Sequence, residues 1–434
     1  MRIRKLHVLA LLAAVFALAV AGCGGDDDDD GDGGAAAEEV SGTVDISGIW
    51  TGPEAESFNA VLDGFEEQNP DVTVNYSPAG DEIPTVLATA VEGGNPPDLA
   101  AVAQPGLVTD FVEQDALQPM DFAEDTIREN FPEGAVDVAT IGGQVYGFLF
   151  KAANKSTVWY NVGLYEAAGV EPPETFEEFI ENAETLQASG TKAYSIGVDA
   201  GWPLTDIFEN IYLRQAGPEL YDQLAAHEIP WTHQSVTDAL QTMAGVVGDS
   251  DNLVGGISGA LGTDFPTSVT NAFKEGPDGA QVLEGDFVVT EVPASAEPLT
   301  DYDVFDFPSV EGSEPAVVGG GDIIIMFNDT PAAQALVSYL ASPEAAEIWA
   351  GRGGFSSANR NLDAGVYPDE LTQRTASALA EAETFRFDLS DLQPAAFGAT
   401  VGQGMWQIFQ DLLRNPDDVD GVAQKLEEAA NRAF

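Results

Sequence analysis

Aromatic and acidic residues lie close together where several apolar runs of this chain end. Trp50 ends the run "VDISGIW" and precedes Glu54, while Trp202 follows "SIGVDAG" and precedes Asp206 by about one helical turn. Asp322 follows three glycines and opens the run "IIIM". Aromatic rings stack on the C–H faces of sugars, and carboxylates accept hydrogen bonds from hydroxyl groups. These residue types indicate a carbohydrate-binding site, although core packing is the alternative for each tryptophan.

Sequence patterns typical of catalysis or metal binding do not occur. The histidines are His7, His227 and His233, and their spacing is not that of zinc ligands. There is no G-x-S-x-G elbow, Walker loop or dinucleotide-binding glycine pattern. Carboxylates are so abundant that any two could be chosen as a glycosidase pair, so this signal carries no information. We therefore expect a protein that is not an enzyme and needs neither a metal nor a cofactor.

The apolar pattern near the start of the folded part predicts the order β-α-β-α-β. "VDISGIW", "DVTVNYS" and "PPDLAAVA" have strand patterns, and apolar residues at helical spacing fill the two intervals between them. This alternation is typical of a parallel sheet covered by helices. Ligands of such sheets bind outside the carboxyl ends of the strands, which is where Trp50 and Gln104 fall.

Capping signals predict helices further along the chain. Thr175 and Glu178 form a capping box before an amphipathic segment, and "AYSIGVD" then has a strand pattern. Thr330 and Ser342 are each followed by proline, which is the N-cap and first-turn combination. Trp159 and Trp349 are predicted to be core residues, whereas Trp406 lies in a late helical segment.

The only cysteine, Cys23, follows a basic start and an apolar run at residues 7–21. At about 1.5 Å per residue, this run is too short to cross a bilayer of about 30 Å comfortably. Small residues before Cys23 match the lipobox of bacterial lipoproteins. We expect residues 1–22 to be a lipoprotein signal peptide and Cys23 to carry lipid that anchors the protein to the cell membrane, facing the extracytoplasmic side. A plain secretory signal or a short membrane anchor is the alternative.

Residues 23–43 are predicted to form a disordered acidic tether, because glycine, alanine and acidic residues dominate them. Calcium binding by the aspartate run is an alternative, but the run lacks the ligand spacing of an EF-hand.

The chain carries 73 acidic and 16 basic residues, a formal charge of −57. Loss of residues 1–22, with three bases, would leave −60. Such a charge repels nucleic acid and anionic ligands. Solubility at high ionic strength would explain it, because salt screens self-repulsion over about 8 Å at 0.15 M and about 3 Å at 1 M. A salt-tolerant source is therefore a hypothesis; it predicts a melting temperature that rises with added KCl, and a flat response would contradict it.

Several stretches resemble the family 1 extracellular solute-binding proteins of carbohydrate ABC importers, the maltose-binding type, and especially their α-glucoside branch. The matching stretches include "FEEQNPDVTVNY", "VEGGNPPDLAAVAQPG", "STVWYNVGLYEAAGVEPPETFEEFIENAETL", "GWPLTDIFENIYL" and "GGGDIIIMFNDTPAAQALVSYLASPEAAEIWAGRGGFSSANR". They cover nearly all of the chain after residue 44.

This resemblance implies an α/β fold with the two lobes of periplasmic binding proteins and a hinge that the chain crosses more than once. Residues 44–151 and 299–351 would form the N-terminal lobe, and residues 152–298 and 352–434 the C-terminal lobe. The first crossing would be "YGFLFKAANKSTVWYN" and the return "DYDVFDFP".

The resemblance also implies the ligand and its contacts. A monomeric protein would capture a sugar or oligosaccharide by lobe closure and deliver it to the permease subunits of an ABC importer. Alternatives are the same fold binding a non-sugar solute, such as a polyol phosphate, and a secreted carbohydrate-cleaving enzyme. The cleft residues that the resemblance implies are Trp50, Glu54, Asp81, Gln104, Trp202, Asp206, Asp286, Phe287, Gly321, Asp322 and Trp406.

Overall fold

Strands from distant parts of the chain pair into two main β-sheets. The computed structural model describes residues 40–434, so the predicted signal peptide, Cys23 and most of the tether lie outside the described residues. The strands are β1 (Gly42–Gly48), β2 (Val72–Pro78), β3 (Leu99–Val102), β4 (Thr140–Ile141), β5 (Gln144–Val145), β6 (Gly147–Asn154), β7 (Thr157–Asn161), β8 (Lys192–Tyr194), β9 (Gly279–Val282), β10 (Tyr302–Asp306), β11 (Val317–Met326), β12 (Ser356–Ser357) and β13 (Phe385–Phe387).

Helices cover both sheets. They are α1 (Gly52–Gln68), α2 (Ile83–Glu92), α3 (Pro105–Glu113), α4 (Glu124–Asn130), α5 (Glu133–Asp137), α6 (Val162–Ala168), α7 (Phe176–Ala188), α8 (Trp202–Ala216), α9 (Pro218–Ala225), α10 (Gln234–Val247), α11 (Gly256–Ala260), α12 (Phe265–Phe273), α13 (Pro331–Leu340), α14 (Pro343–Ala350), α15 (Glu370–Glu381), α16 (Ala395–Gly398), α17 (Gly404–Arg414) and α18 (Val419–Ala433). Short 3₁₀ turns occupy Gly80–Glu82, Asp286–Thr290 and Ala364–Val366.

The larger sheet has the strand order β12-β6-β11-β3-β1-β2, with β13 beside β11. Strand β1 lies parallel to β2 and β3, which confirms the β-α-β-α-β prediction. Strand β11 runs antiparallel to both β3 and β6 and fills the position between them. The smaller sheet has the order β10-β7-β9-β8, and β4 pairs only with β5.

Each main sheet packs into its own apolar core. The first core joins the larger sheet to α1, α13 and α14, and the second joins the smaller sheet to α7, α8, α10, α17 and α18. Trp349 lies in the first core and Trp159 in a small third cluster, both fully buried as predicted. This arrangement is the expected α/β fold with two lobes.

The chain passes between the sheets more than once. Strand β6 belongs to the larger sheet and β7 to the smaller one, so the first passage lies at residues 155–156, inside the predicted crossing. The strand pairing shifts two other predicted limits. Strand β10, which was predicted to lie in the N-terminal lobe, pairs with β7 in the smaller sheet, so the chain returns to the larger sheet only after β10. Strands β12 and β13, which were predicted to lie in the C-terminal lobe, pair with β6 and β11 in the larger sheet. Apolar patterns mark where a strand lies but do not identify its hydrogen-bonding partner.

The predicted strand "AYSIGVD" is shorter than its apolar pattern indicates and ends at Tyr194. The backbone of Asp264 packs directly on Gly197, where a Cβ atom would lie 2.2 Å from the Asp264 carbonyl oxygen. The following segment is held by other contacts, including donation from the Val198 amide to the Ala260 carbonyl at 3.0 Å. It leads to Gly201, whose φ of 109° turns the chain into α8.

The predicted helix starts are confirmed. The Thr175 side chain accepts from the Glu178 amide while Glu178 accepts from the Thr175 amide, which completes the capping box of α7. Thr330 and Ser342 cap α13 and α14 through their hydroxyl oxygens. None of the helices within residues 40–434 has the length and apolarity that a membrane span requires.

Candidate ligand-binding cleft

A cavity of about 200 Å³ lies between elements of the two cores. The ends of β1 and β3, the start of α1 and the adjoining parts of β6 and β11 form one side. The starts of α8, α12 and α17 and the 3₁₀ turn after β9 form the other side. The structure brings these predicted residues to its wall: Trp50, Glu54, Asp81, Gln104, Trp202, Asp206, Phe287, Gly321, Asp322 and Trp406.

Asp286 does not line this cavity, unlike the other predicted residues. Its side chain is buried and accepts a hydrogen bond from the hydroxyl of Ser356 in β12. Burial raises the pKa of Asp286 to about 6, against the opposing effects of the Ser356 hydroxyl and the Lys151 charge. The neighbouring ring of Phe287 reaches the cavity instead, because successive residues of the turn point in different directions.

Trp50 joins the larger core to the cleft. Its ring packs against Phe58 at 4.5 Å and Trp349 at 4.9 Å between ring centroids, and only 1% of Trp50 is exposed. Its indole Nε1 donates to Asp322 Oδ2 at 2.6 Å. The ring of Trp50 is therefore a core ring, and its contribution to the cleft is to position Asp322.

Lys151 is a buried cation that sequence reasoning missed. Its ammonium group pairs with Glu54 and lies 3.9 Å from Asp322 Oδ2. Burial opposes the charged form, but Glu54 and Asp322 outweigh it and raise the pKa of Lys151. The signal in the sequence is a single lysine inside the apolar run "YGFLFKAAN", because a lysine in a buried strand needs an acidic partner.

Lys155 occupies an equivalent position at the first passage between the sheets. Its ammonium group pairs with Asp388, lies 3.3 Å from Asp206 Oδ1 and lies 3.7 Å from Asp391 Oδ2. Burial opposes its charge, but these carboxylates hold the pKa of Lys155 well above the usual value. The Lys155 ammonium group therefore connects three segments that are far apart in the sequence.

Asp206, Glu209 and Asp388 each place a carboxylate oxygen within 4.8 Å of the other two, which resembles a metal-ligand group. Lys155 already pairs with two of them, and Glu209 accepts from the backbone amides of Leu389 and Ser390. These carboxylates therefore already have partners within the protein, and we interpret the group as part of the Lys155 ion-pair network rather than as a metal site.

The carboxyl of Asp206 is shielded from water and faces Glu284. Burial raises the pKa of Asp206 to about 7, with Lys155 acting in the opposite direction. Burial and then the charge of Asp206 also hold the pKa of Glu284 well above its usual value. Protonation of one of these two carboxyls would remove the repulsion that two buried negative charges produce.

Three half-buried aromatic rings lie together on the smaller-sheet side of the cavity. The Trp202 ring centroid lies 5.3 Å from that of Phe265 and 6.0 Å from that of Phe287. The Phe265 and Phe287 rings are 5.4 Å apart. Trp202 and Phe265 each occupy the first position of a helix, which directs both rings towards the cavity. We call Trp202, Phe265 and Phe287 the aromatic triad.

Gly321 allows strands β6 and β11 to approach closely at the cavity wall. Its φ is 148°, and a Cβ atom would lie 2.1 Å from the Lys151 carbonyl oxygen. Only glycine fits this contact, which also places Asp322 and Lys151 side by side.

Gln104 and Trp406 complete the wall and are both nearly inaccessible to water. Within residues 40–434, the Gln104 side-chain oxygen and the Trp406 indole nitrogen have no hydrogen-bond partner.

Residues 51–347 match the family model described as bacterial extracellular solute-binding protein. The osmoprotective compounds-binding protein GgtB of Synechocystis sp. is 35% identical over 83% of this chain and 87% of the relative. The alpha-glucosides-binding periplasmic protein AglE of Rhizobium meliloti is 31% identical over 88% of this chain and 85% of the relative.

Solved structures share the fold at lower identity. The bacterial solute receptor AcbH, described as having an exclusive preference for β-D-galactopyranose, has a TM-score of 0.80 and 19% identity, covering 91% of this chain and 100% of that one. The GacH receptor of Streptomyces glaucescens, solved without ligand and with acarbose, has a TM-score of 0.72 and 17% identity, covering 91% and 99%.

Proposed function

Because the chain belongs to the family of bacterial extracellular solute-binding proteins, we propose that it captures a sugar or oligosaccharide in this cleft and delivers it to an ABC importer. Relatives named as binding proteins for α-glucosides and for osmoprotective compounds support this solute class. The permease subunits of the importer would be its protein partners, and the binding protein would act as a monomer.

The aromatic triad facing Asp322 and Glu54 across one cavity is the observation that carries the proposal. Aromatic rings offer an apolar surface for the C–H face of a sugar. Carboxylates accept charge-assisted hydrogen bonds from its hydroxyl groups. The two kinds of contact come from opposite sides of the cavity, so a bound sugar would hold the lobes together.

The charged groups of the cleft argue against a phosphorylated polyol. Lys151 and Lys155 each already pair with two or more carboxylates. A phosphate would have to displace those carboxylates while staying close to them, and like charges at short range are unfavourable.

A thermal-shift screen against mono- and oligosaccharides tests the proposal. A ligand present at 100 times its Kd adds about 2.7 kcal/mol to the free energy of unfolding. The panel contains glucose, galactose, maltose, trehalose, raffinose and glucosylglycerol, with inositol phosphate representing the alternative solute class. A rise with at least one sugar supports the function, and a rise with inositol phosphate alone would overturn it.

We propose that the protein binds its sugar without cleaving it. Incubation of a panel oligosaccharide that raises the melting temperature, followed by chromatography, should return the oligosaccharide intact. The appearance of shorter products would instead favour a carbohydrate-cleaving enzyme.

Lipid anchoring through Cys23 is part of the proposal, since it would hold the protein near its importer. Cys23→Ala should release the protein into the soluble fraction or leave its precursor uncleaved. A variant that is processed and retained like the wild type would contradict anchoring but not sugar binding.

A further inference from the structure

The cleft has more acidic groups than its two lysines can pair with. Glu54 and Asp322 face Lys151, while Asp206 and Asp391 face Lys155. The remaining acids of the wall make no ion pair within the part of the chain that the structure describes: Asp81, Asp264 and Glu291. We call these three residues the unpaired acids.

The unpaired acids come from separate elements and affect one another through the cavity. Asp81 belongs to the 3₁₀ turn before α2, Asp264 caps α12, and Glu291 follows the 3₁₀ turn after β9. Burial, then the charge of Asp199, raises the pKa of Asp81 to about 6, and Asp264 adds to the increase. Burial also raises the pKa of Glu291, with further contributions from Glu54 and Asp264. This part of the cavity therefore has a negative potential that disfavours its own carboxylates.

The aromatic triad lies beside the unpaired acids. Phe265 directly follows Asp264, and Trp202 lines the same cavity as Asp81. Burial raises the pKa of Asp81, and the Trp202 side chain acts in the opposite direction. Ring faces attract cations that come within about 6 Å of the centroid, tryptophan most strongly. Lys155 Nζ already lies 5.9 Å from the Trp202 centroid. A ring surface beside uncompensated carboxylates is suited to an organic cation.

We propose that the ligand of this cleft carries an ammonium group, so that the preferred solutes are amino sugars or similar polyhydroxylated amines. The inference rests on the proposed function of the cleft and narrows its substrate class. The hydroxylated body would lie against the paired groups around Asp322 and Lys151. The ammonium group would lie between the aromatic triad and the unpaired acids.

The overall acidity of the chain does not by itself account for this arrangement. Acidic residues favoured for solubility gain from full hydration at the surface, whereas Asp81 and Glu291 are half-buried beside a cavity. Partial burial of a carboxylate without a cation is unfavourable, and a ligand cation would remove that cost.

Three glucosides that differ only at C6 test the inference by calorimetry at pH 7.5 and low salt. They are methyl α-D-glucopyranoside, its 6-amino-6-deoxy derivative and the corresponding glucuronide. We expect the amine to bind about tenfold more tightly than the alcohol, and the carboxylate about tenfold more weakly. Raising NaCl to 1 M should reduce the advantage of the amine, because it rests on partly exposed charges.

The variant Asp81→Asn/Glu291→Gln should reduce the preference for the amine over the alcohol to about threefold or less. Glu297→Gln removes an exposed acid that does not line the cleft and serves as the matched control, in which the preference should persist. Proton release on binding the amine near pH 6, measured in buffers of different ionisation enthalpy, gives a second readout.

An amine that binds no more tightly than the alcohol overturns the inference. The inference is also overturned if the amine fails to bind while a neutral sugar of the screening panel binds. In that case the proposed function as a sugar-binding protein is retained. Failure of every sugar and of the amine would overturn the proposed function as well.

Discussion

Asp322 has a more structural position than its sequence context predicts. It follows three glycines at a strand end, which indicated a side chain free to reach a ligand, yet only 8% of it is exposed. Its carboxylate accepts a hydrogen bond from Trp50 and lies next to the Lys151 ammonium group. A variant without this carboxylate would leave Lys151 with one acidic neighbour fewer. Removing one partner of a buried ion pair typically costs about 3–5 kcal/mol. Asp322→Ala would therefore report on stability as much as on binding.

Trp202 is the better residue with which to test the cleft. Trp202→Ala should weaken binding of a panel sugar by about ten- to a hundredfold, because the ring supplies stacking surface on the cavity wall. The control, Trp349→Ala, empties a fully buried site and should lower the free energy of unfolding by about 3–5 kcal/mol. Calorimetry and denaturant unfolding on both variants measure the two effects. Unchanged sugar binding by Trp202→Ala would mean that the ring does not contact the ligand.

Asp286 should make folding depend on pH. Its pKa rises from 3.8 to about 6 on burial, so the folded protein keeps a proton between about pH 4 and pH 6 that the unfolded chain releases. Its stabilising contribution is present below about pH 4 and is lost as the pH rises through about 6. The Asp286→Asn side chain stays neutral at every pH. The free energy of unfolding of the wild type should therefore fall by up to about 3 kcal/mol relative to that of the variant over this range.

Urea unfolding at pH 4 and pH 6.5 measures this difference. Asp121→Asn makes the same chemical change at an exposed aspartate and should follow the wild type at both pH values. A stability difference between the wild type and Asp286→Asn that is equal at both pH values would contradict the assignment.

At the scale of elements, helices were predicted more completely than strand partners. The capping box at Thr175 and the cap at Thr330 are local, because each side chain bonds to an amide three residues away. The pairing of β10 with β7 depends on residues far apart in the sequence, and no local pattern records it. The same limit explains the cleft. Residues at strand ends were predicted, whereas Lys155 was missed because its partners include Asp388, more than two hundred residues away.

A substitution at Gly321 tests the contact between β6 and β11, the two strands that hold Lys151 and Asp322. Gly321→Ala places a methyl group against the Lys151 carbonyl of β6 and adopts a φ that side chains disfavour, so β6 and β11 must separate. We expect a loss of at least about 2 kcal/mol in the free energy of unfolding. Gly134→Ala lies in α5, where a Cβ atom meets nothing within 4 Å, and should be neutral or slightly stabilising. Equal stability of both variants would show that β11 tolerates the side chain.

At the scale of the whole molecule, the cleft is formed by two cores that the chain joins at a few passages. A ligand that contacts both sides favours the closed arrangement by the difference between its affinities for the closed and open states. Small-angle scattering should show a smaller radius of gyration when a sugar identified in the screen saturates the protein. Trp202→Ala at the same sugar concentration provides a low-occupancy control. An unchanged radius at proven saturation of the wild type would contradict closure.

The position of β11 in the larger sheet has a consequence for how the protein is made. Strands β3 and β6 are not neighbours, because β11 lies between them and pairs Asp322 with Lys151 across about 170 residues of chain. The N-terminal half of the chain emerges from the ribosome with a vacant slot in the middle of its sheet. Such long-range closure makes folding slow. The larger sheet cannot be completed before residues 317–326 have been synthesised, so we expect its formation to follow translation of most of the chain.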